Sequence, residues 1–347
     1  MRRRLLIPSA LVAISGCALP PASITPAAGT VQVTAAAETV PVGTVNDDAA
    51  DDPAIWRNGR DPARSLIVAT DKKAGLYVYD LAGQVKHFVA AGRLNNVDLI
   101  DRGRAGILVV ASDRNDVAAA KLRLFKLDPV SGSLAPLGSV TGGAGEAYGV
   151  CLWRDGAALY AFSVLKEGNV EQVRIDFNDA QPSGTIVRSM NLATQPEGCV
   201  IDPRTATLFV GEEDRGIWRF GARADAPTVG EMVAPTDGTH LVADVEGLAV
   251  APVGRDGGFL IASSQGDNSY ALYSLPDMRP AGRFRIGAGK FGSSEETDGI
   301  AFHSGGFGPT YPNGLFVAQD GVNAPNAQNF KLVSWSQVLA AAGGQGK

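Results

Sequence analysis

The sequence predicts an all-β fold built from six similar units. A polar residue followed by a short apolar strand occurs six times, at intervals of 44 to 52 residues. Each copy precedes a second apolar strand and a third strand in which polar and apolar residues alternate. Turns containing Gly and Asp separate the strands, without a long amphipathic helix pattern. Because a repeat of about 50 residues with three or four strands is typical of a propeller blade, we expect a six-bladed β-propeller.

The strands of these units can be assigned in order along the chain. The first strands follow the polar residues Asp52, Asn96, Tyr148, Glu197, Glu246 and Asp298. The second strands are SLIVAT from 65, GILVVAS from 106, ALYAFSVL from 158, TLFVGEE from 207, FLIASSQ from 259 and GLFVAQD from 314. The third strands are GLYVYDL from 75, KLRLFKL from 121, VEQVRI from 170, GIWRF from 216, SYALYSL from 269 and NFKLVSW from 329. A β-sandwich array is the competing fold, but a sandwich gives no reason for the same three strands to recur six times.

The segment that precedes the repeats has the features of an export signal. Residues 1–16 contain three arginines, an apolar stretch and small residues, which is typical of a secretory signal peptide. Because Ile14-Ser15-Gly16-Cys17 fits a bacterial lipobox, we expect a lipid on Cys17 that holds the protein at a periplasmic or cell-surface membrane, with release as a further option. An ordinary signal peptide with a chance cysteine is the alternative. Residues 17–36 are then a tether, and residues 37–347 are the propeller domain.

Charge and cysteine content exclude several classes of protein. The chain has 31 basic and 36 acidic residues and a formal net charge of −5, so we expect no nucleic-acid partner. After Cys17 only Cys151 and Cys199 remain, which excludes a disulfide scaffold. The sequence leaves open whether these two cysteines pair, and we expect both in the core.

Polar residues at the strand ends are the candidate functional residues, because equivalent ends of propeller blades meet at one rim. Asp51, Asp98 and Asp244 lie beside the first strands. The ends of the second strands add Asp71, Lys72, Asp113, Arg114, Lys166, Glu167, Glu212, Glu213, Asp214, Gln265, Gln319 and Asp320. Each acid alone could be a solvated turn residue, but carboxylates gathered this closely repel one another and require a cation. Oxygen ligands without Cys or His clusters favour a hard cation such as Ca²⁺ over Zn²⁺.

Three basic residues interrupt this acidic rim. Lys72, Arg114 and Lys166 fall at equivalent strand ends in the first three units. Beside bound cations, such bases suit phosphate, although each could instead merely pair with a neighbouring acid. The histidines lack an Arg-His-Gly context, the cysteines lack the phosphatase spacing, and the segment TGGAGEAYG at 141–149 lacks the ending of a P-loop. A metal-activated water is the route to phosphate ester hydrolysis that remains.

At these residues the chain resembles the β-propeller phytases, which are calcium-dependent alkaline phosphatases of inositol hexakisphosphate. The resemblance covers roughly residues 38 to 336. The shared phrases are DDPAIW at 51, TDKKAGLYVYDL at 70, GRLNNVDL at 92, EAYGVCLW at 146, KEGNVEQ at 166, PEGCVID at 196, VGEEDRGIW at 210, DVEGL at 244, SSQGDNSYALY at 263, TDGIAF at 297 and GLFVAQDG at 314. So many phrases in one order make the resemblance specific.

The resemblance implies a 3-phytase activity and assigns roles to particular residues. The implied ligands of several Ca²⁺ ions are Asp51, Asp52, Asp98, Glu197, Glu213, Asp244, Glu246 and Asp298, with Glu38 as an additional ligand. The implied catalytic and phosphate-binding residues are Lys72, Arg114, Tyr148, Lys166 and Glu167, together with Glu213. A calcium-bound water would attack one phosphate while a neighbouring phosphate is held in an adjacent subsite, without a covalent enzyme intermediate. We expect activity at neutral to alkaline pH.

Two positions depart from the family pattern. The family has an Asp where this chain has Gly292 and a Glu where it has Val322, and both acids belong to a structural calcium site. We therefore predict that this site is weak or absent, with Glu295, Glu296 and Asn323 as partial substitutes.

Two other functions compete with this interpretation. One is a calcium-dependent propeller lactonase, which needs no anion-binding bases, so Lys72, Arg114 and Lys166 argue against it. The other is a non-catalytic, lipid-anchored binding propeller, which would not need both a metal set and a phosphate set. We expect a monomer whose partner is a small-molecule substrate, phytate, as its calcium salt.

Overall fold

The computed structural model describes residues 25–177 and 181–343 and confirms the six-bladed β-propeller. Residues 1–16 and Cys17, expected to form the signal peptide and the anchor, lie outside the described residues. The described residues form 25 strands in six sheets and one short α-helix. This part of the chain has no helix that is long and apolar enough to cross a membrane.

The strands follow the chain in blade order. Two short strands come first, β1 (Thr30–Thr34) and β2 (Ala37–Glu38). Blade 1 contains β3 (Ala50–Trp56), β4 (Leu66–Asp71), β5 (Gly75–Asp80) and β6 (Val85–Ala90). Blade 2 contains β7 (Leu94–Asp101), β8 (Ile107–Asp113), β9 (Ala119–Leu127) and β10 (Leu134–Ala144). Blade 3 contains β11 (Ala147–Asp155), β12 (Ala158–Leu165), β13 (Asn169–Asp176) and β14 (Ser183–Asn191).

The second half of the ring repeats this order. Blade 4 contains β15 (Pro196–Asp202), β16 (Thr207–Glu212), β17 (Gly216–Gly221) and β18 (Glu231–Pro235). Blade 5 contains β19 (Val245–Val253), β20 (Gly257–Ser264), β21 (Ser269–Leu275) and β22 (Arg279–Gly287). Blade 6 contains β23 (Ile300–Ser304), β24 (Gly314–Asp320) and β25 (Asn329–Ser334), and α1 (Trp335–Ala341) follows it. The innermost strands β3, β7, β11, β15, β19 and β23 each contact the next and close a ring.

The N-terminal segment completes the last two blades. β2 pairs antiparallel with β25 as the outer strand of blade 6, and β1 pairs parallel with β22 as a fifth strand of blade 5. The tether predicted for residues 17–36 is therefore shorter than expected, because residues 30–34 belong to a sheet. The segment TVQVT alternates polar and apolar residues, and Val33 is buried in the core between blades 5 and 6. The free edge of β22 gains backbone hydrogen bonds from this strand.

The hydrophobic cores lie between adjacent blades. Leu76 and Val78 of blade 1, for example, pack in one cluster with Val109 and Phe125 of blade 2. Alternate residues of each strand face opposite sides of their sheet, so every blade contributes to two such cores. Between blades 3 and 4 the contact is also covalent, because a disulfide joins Cys151 of β11 to Cys199 of β15.

Candidate active site

Five of the six innermost strands begin with a two-residue β-bulge, whose first residue is polar and has no partner in the strand pairing. The pairing register shifts between Ala50 and Pro53, Leu94 and Val97, Ala147 and Val150, Pro196 and Cys199, and Val245 and Leu248. Such bulges leave residues unpaired and re-aim their side chains. The first residues of the five bulges are Asp51, Asn95, Tyr148, Glu197 and Glu246, and Asp298 takes the corresponding place before β23. We call these six residues the inner ring.

In the first two blades, the pairing register shows that the repeat assigned from the sequence lies one residue too far along the chain. Asp52 and Asn96, assigned to the repeat from the sequence, occupy the second bulge position. The other blades have Gly149, Gly198, Gly247 and Gly299 at that position. A Cβ at Gly149 would lie 1.9 Å from the carbonyl oxygen of Glu197, so the close approach of the next blade requires glycine there. In blade 1 the Asp52 side chain instead accepts a hydrogen bond from Val97 N at 3.0 Å, which bridges to blade 2.

A second set of side chains borders the inner ring from the ends of the second strands. Lys72, Arg114, Lys166, Glu213 and Gln265 occupy equivalent places in blades 1 to 5. Their backbone N–H groups donate to the carbonyls of Ala49, Arg93, Glu146, Gln195 and Asp244, respectively. We call Lys72, Arg114, Lys166, Glu213 and Gln265 the outer ring. The equivalence of the three basic residues inferred from the sequence is thus a feature of the fold.

The acids that precede the outer ring have a different role, because successive strand residues point to opposite faces. Asp71 accepts hydrogen bonds from Thr44 and Lys73, and Glu212 accepts hydrogen bonds from Thr194 and Trp218. Both carboxylates therefore hold neighbouring loops. The sequence predicts both acids on the rim, but strand alternation turns their side chains away from it.

One ammonium group neutralises part of the acid cluster, the name we use for the carboxylates of Asp48, Asp51, Glu197, Glu213, Glu246 and Asp298. Lys72 Nζ lies 2.7 Å from Asp48 Oδ2, 3.0 Å from Asp51 Oδ2 and 2.8 Å from Asp298 Oδ2. Burial raises the pKa of Asp298 to about 7, and the Lys72 charge opposes this shift while Asp51 adds to it. Gln265 Nε2 donates to the other oxygen of Asp298 at 2.7 Å, which fixes the carboxylate between the two rings.

Three glutamates of blades 4 and 5 form a second group of acids. Glu197, Glu213 and Glu246 each offer one carboxylate oxygen, and these oxygens lie within 4.8 Å of one another. Burial raises the pKa of Glu197 and of Glu246 well above the ordinary range, and the neighbouring carboxylates add to both shifts. Burial also raises the pKa of Glu213 to about 7. Without a cation, this group holds protons that it would not hold in water.

Neutral amides orient these carboxylates. Asn95 Nδ2 donates to Glu197 Oε1 at 2.9 Å, and Gln195 Nε2 donates to Glu213 Oε1 at 2.5 Å. Two buried oxygens, Asp51 Oδ1 and Glu246 Oε2, have no hydrogen-bond partner among the described residues. Because buried acceptors normally have a partner, these oxygens and the glutamate group fit a hard divalent cation.

The basic side of the site surrounds Tyr148. Arg114 Cζ lies 5.6 Å and Lys166 Nζ lies 5.2 Å from the centre of the Tyr148 ring. Arg114 is 8% exposed, whereas Lys166 is exposed to solvent. Glu167 accepts hydrogen bonds from Glu146 N at 3.2 Å with both carboxylate oxygens, so it holds the start of blade 3. The phosphate-binding role expected for Glu167 stays a prediction.

Three of the expected metal ligands have contacts of a different kind. Asp98 accepts hydrogen bonds from Leu152 N and Leu99 N in the channel wall, and burial raises its pKa to about 6. Glu38 Oε2 lies 2.5 Å from Lys331 Nζ in blade 6. Asp244 is half-buried at the start of β19, where burial and the charge of Asp214 raise its pKa. Whether these three residues bind metal stays a prediction.

Sequence reasoning missed several residues of the site. Asp48 lies in the loop before blade 1, outside the repeated strands, so the repeat could not identify it. Asn95 was missed because the repeat assigned from the sequence uses Asn96 in its place. Gln195, Arg93 and Glu146 occupy one equivalent position before their inner strands, and extending the repeat backwards would have found them.

The chain also has detectable relatives. A family model described as Phytase matches residues 4–346. A protein named 3-phytase from Bacillus subtilis (strain 168) is 40% identical over 331 residues, which cover 90% of this chain and 86% of that protein. A solved structure of BBS1N in complex with ARL6DN, soaked with mercury, aligns with 78% of this chain and 76% of that chain at a TM-score of 0.46 and 10% identity.

Proposed function

The chain belongs to the phytase family and is a phosphoric monoester hydrolase, and we propose that it hydrolyses phytate with Ca²⁺ ions held in the acid cluster. The observation that carries the choice of metal is the group of Glu197, Glu213 and Glu246, whose carboxylate oxygens lie within 4.8 Å of one another. Oxygen donors alone, buried and partly without partners, are the ligands that calcium prefers.

The carboxylates of the two rings would bind calcium, and neighbouring amides would orient them. Glu197, Glu213 and Glu246 would hold one Ca²⁺ position, and Asp51 and Asp298 would contribute to a second. Bound calcium would supply charge stabilisation for the phosphate and lower the pKa of a water molecule. The amides of Asn95, Gln195 and Gln265 keep the carboxylates in a fixed orientation, so little rearrangement is needed on binding.

The basic side would bind the phosphate groups. Arg114 can donate two parallel hydrogen bonds to phosphate oxygens, and Lys72 and Lys166 supply point charges. Burial and the surrounding carboxylates raise the pKa of Tyr148 far above the ordinary range. The phenol therefore stays protonated and can donate a hydrogen bond, but it is not a nucleophile at neutral pH. This agrees with direct attack by water rather than a covalent enzyme intermediate.

Phosphate release from phytate at about pH 7 to 8 tests this proposal. The protein should begin at residue 25, because β1 and β2 are part of the ring. We expect release that requires added calcium and that falls at least tenfold in Glu213→Gln and in Arg114→Ala. Glu231→Gln is the matched control, because this acid is exposed on β18 and pairs with Arg219. Release that persists in saturating chelator would contradict the metal mechanism.

We further propose that the protein is exported and attached to a bacterial membrane through a lipid on Cys17. The support is the sequence around Ile14-Ser15-Gly16-Cys17 and the arginine-rich, apolar segment before it. Cys17→Ser should abolish incorporation of labelled fatty acid and move the protein from the membrane fraction to the soluble fraction. Unchanged labelling of that variant would contradict the assignment.

A further inference from the structure

We propose that Arg93 binds a phosphate group of the substrate, next to the phosphate held by Arg114. The inference rests on the proposed function and extends it, because neither the sequence motifs nor the relatives assign Arg93 a role. The ligand chemistry is that of a phosphate ester with a second phosphate close to the one that is cleaved.

The backbone places the two arginines side by side. Arg93 lies immediately before β7, and Arg114 follows immediately after β8 in the same blade. Arg114 N donates to Arg93 O at 3.0 Å. The two guanidinium groups therefore start from neighbouring points on the rim that carries the acid cluster.

The repeat indicates which way Arg93 faces. Its position before the inner strand is equivalent to Glu146, Gln195 and Asp244 in the next three blades. At that position in blade 4, the Gln195 side chain reaches Glu213 at 2.5 Å and the Tyr148 hydroxyl at 3.3 Å. A side chain at the equivalent position of blade 2 thus borders the same site.

The two guanidinium groups share a single anionic partner, the carboxylate of Glu146. Arg93 Nη2 lies 3.4 Å and Arg114 Nη1 lies 3.6 Å from one and the same oxygen, Glu146 Oε1. The Arg114 side chain makes no hydrogen bond with the described residues, and its buried Nε has no partner. An arginine that is nine-tenths buried without hydrogen bonds is costly unless an anion satisfies it.

One carboxylate oxygen shared at long distance leaves the pair with excess positive charge. A phosphate group offers three oxygens and up to two negative charges, and it can accept hydrogen bonds from both guanidinium groups. The Arg93 side chain is 45% exposed, so it can reach a ligand that approaches from solvent. Arg114 would bind the inner phosphate, and Arg93 would bind its neighbour on the outer side of the rim.

This arrangement predicts an effect on binding that depends on the number of phosphates. Arg93→Ala should raise the KM for phytate about tenfold and leave kcat within about twofold, because the contact is formed equally in the ground state and in the transition state. The KM for a simple monophosphate, p-nitrophenyl phosphate, should not change. Arg93→Lys should reverse part of the rise in KM, since lysine keeps the positive charge but cannot form a bidentate contact with phosphate.

The matched control is Lys290→Ala, which removes one exposed positive charge from the loop between β22 and β23. An equal rise in KM in this control would overturn the proposal, because the effect would then be a general one of net charge. An unchanged KM for phytate in Arg93→Ala, or an equal loss with p-nitrophenyl phosphate, would also overturn it. Unfolding temperatures of all variants show whether each is folded. If the unaltered protein releases no phosphate from phytate in calcium, the proposed function itself fails, which is a different outcome.

Discussion

The Lys72 ammonium lies 2.8 Å from Asp298 Oδ2, although 226 residues separate the two along the chain. The contact joins blade 1 to blade 6 at the point where the ring closes. Asp48 and Asp51 share the same ammonium at 2.7 and 3.0 Å. The residues that would bind calcium and phosphate therefore also hold the first and last blades together, so chemistry and stability are coupled at this position.

Replacing Lys72 should destabilise the calcium-free protein. Lys72→Met leaves three carboxylates without their shared cation, and loss of one partner from a buried ion pair costs about 3 to 5 kcal/mol. We expect a loss of about that size in the free energy of unfolding, measured by urea denaturation in chelator. With calcium the loss should be smaller, because a divalent cation can neutralise the same carboxylates.

The neighbouring residue provides the control for this prediction. Lys73→Met removes an exposed ammonium that lies 3.3 Å from the exposed Asp47. Surface pairs of this kind contribute about 0 to 1 kcal/mol. Equal losses for Lys72→Met and Lys73→Met would show that the buried cluster is not the cause.

Protons should stabilise the calcium-free protein. The pKa of Asp98 is raised to about 6, and those of Glu213 and Asp298 to about 7, mainly by burial. These carboxyls titrate near pH 4 in the unfolded chain, so between pH 4 and 7 the folded protein binds more protons. The free energy of unfolding in chelator should therefore fall as the pH rises from 4.5 to 7.5.

Calcium should remove this trend, because the metal and the protons compete for the same oxygens. Urea denaturation at three pH values with and without calcium checks both statements. A calcium-free protein whose stability rises over this window would show that these carboxyls are already charged at low pH.

The bulge glycines should be intolerant of a methyl group. Gly149→Ala would place a Cβ 1.9 Å from the carbonyl oxygen of Glu197, which must then move away. Overpacking of this kind costs about 1 to 3 kcal/mol. Because Glu197 belongs to the glutamate group, we also expect at least a tenfold loss of phosphate release.

Gly59→Ala is the matched control, because a Cβ at Gly59 meets no atom within 4 Å. It should leave activity and stability nearly unchanged. Full activity in Gly149→Ala would mean that the blades can separate without disturbing the site.

The sequence was sufficient to predict the ring of blades and the strand ends that meet at one rim, but not which residue of each polar pair is equivalent from blade to blade. The sequence placed Lys72, Arg114 and Lys166 at equivalent second-strand ends, as the structure does, while their phosphate-binding role stays a prediction. The pairs Asp51-Asp52 and Asn95-Asn96 each offer two polar residues, and nothing in the sequence tells which of them is equivalent to Glu197. Only the pairing register of the bulges decides that.

The remaining differences arise from contacts between segments that are distant in sequence. Asp48 comes from the loop that leads into blade 1 and meets Lys72 there. Residues 30–34 looked like a tether because they carry no charge, yet the free edge of β22, some 250 residues later, makes them a strand. The repeat contains no information about either contact.

The disulfide should contribute stability but not activity. It links Cys151 and Cys199, which are 48 residues apart and lie on the inner strands of blades 3 and 4. Disulfides that close loops of this size typically contribute about 2 to 4 kcal/mol. The double variant Cys151→Ala with Cys199→Ala should lose about that much in urea denaturation and keep phosphate release within a few-fold at low temperature.

Reductant provides the control for this prediction. It should lower the stability of the unaltered protein in urea and have no effect on the double variant. A double variant as stable as the unaltered protein would show that packing between the blades is sufficient without the covalent link.

The last prediction concerns the structural calcium site at Gly292 and Val322. The departure from the family pattern at these two positions predicts that the site is weak or absent. The fully buried Lys331 Nζ lies 2.5 Å from Glu38 Oε2, 3.0 Å from Asp320 Oδ2 and 3.4 Å from Asn323 Oδ1. A Cβ at Gly292 would lie 3.7 Å from the same nitrogen. The remaining oxygen donors around Gly292 thus already contact the Lys331 ammonium. A calcium ion at the same place would be repelled by that positive charge.

Lys331→Met should therefore lower the free energy of unfolding by about 3 to 5 kcal/mol. Calcium should raise its unfolding temperature no more than it raises that of the unaltered protein, because the acid cluster is the same in both. Adding Gly292→Asp and Val322→Glu to Lys331→Met supplies two carboxylates in place of the ammonium, and we expect an additional calcium-dependent rise of several degrees. Scanning calorimetry at fixed calcium measures all three proteins. A larger calcium effect in Lys331→Met alone would show that Glu38, Asp320 and Asn323 suffice to bind the ion without the two family acids.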